Sequence, residues 1–76
     1  MDSILEVIKF EGKNFSDLMD ISEMDQVMLV ANKLKPLENE ILQYPEGNIT
    51  LKKSGGVFMT LMPADLMKRI NDLLNR

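Results

Sequence analysis

Four acids, Asp17, Asp20, Glu23 and Asp25, come closest to a chemical site in this chain. Carboxylates crowded into so short a run are the ligand type that a hard divalent cation takes. Their spacing is not that of a calcium loop, D-x-[DN]-x-[DN]-G, so no metal site is expected from them. Acids at a helix start ordinarily favour its dipole and solvate a face. The functional reading is an acidic patch that engages a basic partner, with strong salt dependence as its sign.

A second group is basic. Lys52, Lys53, Lys68 and Arg69 have the charge to lie along a phosphate backbone. Only Phe58 is interleaved with them, and the chain has a net charge of −3 and a pI of about 4.8. That is thin support for nucleic-acid binding, which is the lesser expectation. Ser54-Gly55-Gly56 lacks the G-x-x-x-x-G-K-[ST] spacing of a phosphate loop and leads into a strand, so it reads as a turn.

The composition removes most other chemistry. With no Cys there is no disulfide, thiolate zinc site, iron–sulfur cluster or cysteine nucleophile. With no His there is no Ser–His–Asp or Cys–His machinery within the chain. A carboxylate-only Mg²⁺ or Ca²⁺ site is one that composition leaves open. No catalytic, cofactor-binding or metal residue is expected.

The elements that carry these groups can be read in order. Residues 3–11 are rich in β-branched and aromatic side chains and read as a strand ended by Gly12-Lys13-Asn14. Ile4, Leu5 and Ile8 would also suit a helical stripe. Ser16 can cap a short turn through Met19. Ser22 with Asp25 resembles a capping box for a helix whose face is Met24, Val27, Met28, Ala31 and Leu34. Pro36 must kink that helix or restart it as a second one over 37–43, burying Leu37 and Ile41. A turn cluster, 44–48, follows. Pro63 suits the first position of a last helix whose stripe is Leu66, Met67, Ile70, Leu73 and Leu74.

Between them lies a hairpin. Residues 49–53 and 57–62 flank Ser54-Gly55-Gly56, and a three-residue loop wants Gly last. That register sets Lys53 opposite Val57, Leu51 opposite Met59 and Ile49 opposite Leu61. One face then carries Ile49, Leu51, Val57, Met59 and Leu61. The other carries Thr50, Lys52, Phe58, Thr60 and Met62. Phe58 and Met62, with Thr60 and Lys52 around them, form a small apolar patch with a polar rim, as a partner or dimer surface does. The competing reading is that strand 3–11 or a helix covers it. The seven Met residues are read mainly as core filling.

At 76 residues one domain is the ceiling. The expected fold is α+β: a small antiparallel sheet, made of the N-terminal strand and the hairpin, with helices packed on one face, in the order β-α-(α)-β-β-α. Charge is uneven, since residues 1–32 hold seven acids and two bases, and residues 33–76 hold five acids and seven bases. The start, Met1 to Glu6, is acidic and lacks the basic and apolar regions of a signal peptide. The longest apolar run, Val27–Ala31, is far too short to span a membrane, and a cytoplasmic setting is expected.

No motif is specific enough to assign a family. The leading expectation is a non-enzymatic interaction protein, a regulator, inhibitor or adaptor of the kind bacterial and phage accessory genes encode. Its partner is a protein, and a homodimer fits a core this small. The alternatives are a nucleic-acid-associated regulator and an accessory subunit of an enzyme complex.

Overall fold

The computed structural model describes residues 3–76. At its centre Ile8–Phe10 (β1) and Asn48–Leu51 (β3) run parallel, with Ile8 opposite Ile49, Lys9 opposite Thr50 and Phe10 opposite Leu51. Lys13–Asn14 (β2) pairs antiparallel with β1, and Val57–Thr60 (β4) pairs antiparallel with β3. The sheet order is β2-β1-β3-β4. The α+β architecture with packed helices is as expected from the sequence, but the sheet is mixed, not antiparallel. Between β1 and β3 the chain crosses over through helices, the long connection that a parallel pair requires.

β1 is shorter than the expected strand over 3–11. Ser3 Oγ accepts the Leu5 N–H at 3.2 Å and holds Ile4–Glu6 in a 3-10 turn. The Ile4 N–H is donated to Glu38 Oε2 at 3.3 Å, so this backbone leaves the ladder. After β1 the two-residue turn Glu11-Gly12 has φ of 48° and 86°, the pair of positive values that a type I′ hairpin requires. It makes β2 from residues the sequence reading had treated only as a stop.

The first helix, Ile21–Lys33 (α1), is capped by Asp20 rather than Ser22. Asp20 Oδ1 accepts the N–H of Ser22 at 2.8 Å and of Glu23 at 3.4 Å. The short turn before it covers Phe15–Asp17, upstream of the turn expected from Ser16. Of the expected stripe, Val27, Ala31 and Leu34 are buried and Met24 is half-buried, but Met28 is exposed. At roughly 100° per residue Met28 sits a quarter-turn from Val27, at the edge of the packed face. Pro36 breaks the helix: a 3-10 turn, Lys35–Leu37, precedes a second helix, Glu38–Ile41 (α2), and Leu37 and Ile41 are buried. The last helix, Ala64–Leu74 (α3), starts just after Pro63 and buries Leu66 and Ile70.

The hairpin loop has the expected type but not the expected position. The Gly55 N–H bonds Lys52 O at 2.9 Å, the Lys52 N–H bonds Gly56 O at 2.8 Å, and Gly55 takes a φ of 99°. The three-residue loop is therefore Lys53-Ser54-Gly55. Leu51 faces Val57, Thr50 faces Phe58, Ile49 faces Met59 and Asn48 faces Thr60. The expected register would have set Lys53 on the apolar face beside Val57, whereas the observed one drops that charge into the loop. The slip is two residues, so the expected faces are kept.

They are kept only as far as Thr60. Leu61 has a φ of 58° and breaks the strand, reversing the alternation. Leu61 therefore points outward, 68% exposed, and Met62 turns inward, 8% exposed. Met62 lies so close over Gly47 that a Cβ there would meet its Cγ and Cε at 2.9 Å. The expected placement of Met62 on the outer face, and of Leu61 on the inner one, is thus reversed.

One core gathers Ile8, Phe10, Ile49 and Leu51 from the sheet with Val27, Leu34, Leu66 and Ile70 from the helices. A chain this size has a stability of about 4–11 kcal/mol, scaled per residue. Ile49 is fully buried, so Ile49→Ala should cost about 2–5 kcal/mol. Urea unfolding checks this, and a loss well under 1 kcal/mol would remove Ile49 from the core.

Candidate functional site

The open face of the sheet carries the first group of candidate residues. Across the four strands, register lines up Asn14, Lys9, Thr50 and Phe58 on this side, and none of them is buried. Phe58 is 60% exposed and Thr60 is exposed. The Lys52 Nζ stands 5.3 Å from the centroid of the Phe58 ring. Such a cation–π contact at an exposed site is worth about 0.5–1 kcal/mol and holds the ring in place. Among the described residues neither a helix nor the N-terminal strand buries Phe58, so the reading in which it is covered fails. Lys52, Phe58 and Thr60 are together on the surface, and Met62 is not with them.

β4 is also an edge of the sheet, which sequence reasoning did not identify. The Ile49 N–H bonds Val7 O at 2.9 Å, and the Glu11 N–H bonds Leu51 O at 2.8 Å. In β3, then, residues 49 and 51 face β1, and residues 48 and 50 face β4. Antiparallel pairs alternate between hydrogen-bonded and non-bonded. Phe58 and Thr60 therefore bond β3, while the N–H and C=O of Val57 and Met59 point away from the sheet.

The acids do not converge on one site. Asp17 closes the 3-10 turn, Asp20 caps α1, and Glu23 and Asp25 lie roughly 160° apart around the helix. Among the described residues no group of three carboxylates is placed to hold a metal ion, and none of these four acids is in an ion pair. What accompanies them is apolar. Met19 is 90% exposed and Ile21 72% exposed, and Met28 and half-buried Met24 continue the line along α1. Ile21 and Met28, seven residues apart, lie within about 20° of each other on the helix, with Asp25 between them. The signal was readable in sequence, because Ile21, Met24 and Met28 follow the i, i+3, i+7 spacing of one helix edge.

The basic group is divided. Lys52 and Lys53 are on the hairpin, and Lys68 and Arg69 are on α3. Arg69 is engaged: its Nη2 holds the Glu40 carboxylate on α2 and lies 3.8 Å from Asp65. The hydrogen bond that the guanidinium donates to the Glu40 carboxylate keeps its pKa above the ordinary value. The four do not line one groove. A surface depression of about 380 Å³ lies elsewhere, among Leu5, Glu6, Asn14, Phe15 and Ser16. Among the described residues no helix is long and apolar enough to cross a membrane.

One acid is structural and separable from the rest. Asp20→Ala should cost about 1 kcal/mol through the lost cap, whereas Asp25→Ala should change stability by less than about 0.5 kcal/mol. Paired urea titrations check this, and equal losses would remove the distinction. No family model, no curated protein and no solved structure matches this chain.

Proposed function

We propose that this chain is a small non-enzymatic interaction module, a regulator, inhibitor or adaptor, that works by occupying a protein partner. The observation that carries the reading is the exposure of Met19 and Ile21, at 90% and 72%, beside the acids Asp17, Asp20 and Asp25, which are in no ion pair among the described residues. A single exposed apolar residue is ordinary. Here Met19, Ile21, Met24 and Met28 follow one another along the start and one edge of α1. Unbranched Met adapts to varied partner shapes.

The partner that suits such a strip is a cationic amphipathic segment. Its apolar face would lie on the Met and Ile side chains, and its Lys or Arg residues would meet Asp17, Asp20 and Asp25 at the rim. Burying one such side chain contributes about 1.5–3 kcal/mol, so the apolar strip supplies the affinity. The carboxylates speed encounter and reject acidic partners. A cytoplasmic setting fits a chain with no cysteine.

Titration of a fluorescent Lys/Leu amphipathic peptide provides the test. Binding should weaken steeply from low to high salt. Met19→Ser with Ile21→Ser should weaken it roughly tenfold or more, the equivalent of about 1.4 kcal/mol or more, with an unchanged urea midpoint. Asp25→Lys should act mainly on the association rate. Affinity unmoved by the Met19/Ile21 pair, or no binding at low salt, would overturn the proposal.

A further inference from the structure

The structure assigns a second occupant to a different surface: we infer that β4 pairs with β4 of another copy of this chain, antiparallel, about a two-fold axis through Phe58. This does not rest on the α1 reading and uses none of its residues.

The two edges of the sheet are not equivalent. β2 is two residues long, and carries Lys13. Short, charged edges resist pairing. β4 is four residues long, Val57-Phe58-Met59-Thr60, with no charge and no Pro. Val57 and Met59 direct their N–H and C=O groups outward, as the β3 register requires. With one competent edge per copy, pairing closes at two copies and cannot propagate.

Symmetry then fixes the register. Two adjacent antiparallel strands in one sheet are related by an axis perpendicular to the sheet, which keeps both open faces on the same side. Outward-bonding residues must face one another. An axis through Val57 would carry Met59 into the partner's loop at Gly55. An axis through Met59 would need Leu61, whose positive φ has already broken the strand. Only the axis through Phe58 pairs Val57 with the partner's Met59 and Met59 with the partner's Val57 inside regular strand. Phe58 then faces its own copy in a non-hydrogen-bonded pair, the type whose side chains approach most closely and where aromatic pairs stabilise.

The ends of the strand agree with this direction. Lys52 and Lys53 stand at the Val57 end. Glu46 borders a depression with Leu61 at the Thr60 end, and Asp65 lies in the first turn of α3 just beyond. Antiparallel pairing brings the lysine end of each copy to the acidic end of the other, while parallel pairing would set lysines together. Leu61 comes level with the partner's Gly55, around which a Cβ would meet nothing within 4 Å.

The chain has no Cys, so an engineered thiol reports on the register directly. Light scattering of the unmodified chain should show the 8.7 kDa mass doubling as concentration rises. Phe58→Lys sets two cations across the axis at an exposed position, and should stay single with unchanged circular dichroism. Phe58→Cys should cross-link under mild oxidation, because cross-strand non-bonded pairs have Cα atoms about 4.5 Å apart, within disulfide reach. Thr60→Cys should not, because in this register it faces the partner's Gly56. The inference is overturned if the unmodified chain stays single at every concentration, if Phe58→Lys still doubles, or if Thr60→Cys cross-links as fast as Phe58→Cys. A chain that stays single yet binds the basic peptide on α1 would sink this inference alone. One that doubles yet ignores the peptide would sink only the earlier proposal.

Discussion

The parallel pairing of β1 with β3 is the constraint on which the rest of the molecule depends. Two strands that run the same way cannot be joined by a tight turn, so the chain must travel back over the sheet. α1 and α2 make that journey, and α3 packs beside α1 after the hairpin. The buried residues of both central strands, Ile8, Phe10, Ile49 and Leu51, are what these helices cover. Among the described residues the helices pack on that one face. The opposite face of the sheet, with Lys9, Thr50 and Phe58, is left open as a direct result.

Both surfaces proposed to bind are by-products of that arrangement. The strip of Met19, Ile21 and Met28 exists because α1 needs only the Val27 side of its circumference to close the core. The β4 edge exists because the order β2-β1-β3-β4 ends on a strand with no further element beside it. In each case the side chains that stabilise the fold stand next to those left free for a partner. Phe58 alternates with half-buried Val57 and Met59, and Ile21 precedes half-buried Met24.

Much of the fold was legible in the sequence because it follows from local periodicity. The α3 stripe, an interruption at Pro36 that left kink and break open, and the hairpin with its Gly-terminated loop all follow from spacing within a dozen residues. The faces of β3 and β4 were legible even though the register was two residues out, since parity survives an even slip. Strand direction was not legible, because whether β1 and β3 run together is decided by a crossover far longer than any local pattern. β2 was missed because two residues carry no alternation, although the Gly after Glu11 was a usable sign. Of the candidate residues, Phe58, Thr60 and Lys52 stand on the outer hairpin face that alternation assigns them. Met62 was lost to one backbone angle, which no side-chain pattern encodes. The acids were read as a linear run, yet a helix separates Glu23 from Asp25.

Leu61 has a consequence for how this chain tolerates changes in length. The loop at Lys53-Ser54-Gly55 lies outside the packed layers, and adding two residues there would leave every inward and outward assignment intact. The step from Thr60 to Met62 has no such freedom. One left-handed residue exchanges the two faces of the sheet for everything downstream, and seats Met62 on Gly47 before α3 begins. Adding or removing a single residue at that step would undo the exchange and take Met62 off Gly47. Natural variation in length should therefore collect at the hairpin tip and be absent between Thr60 and Pro63.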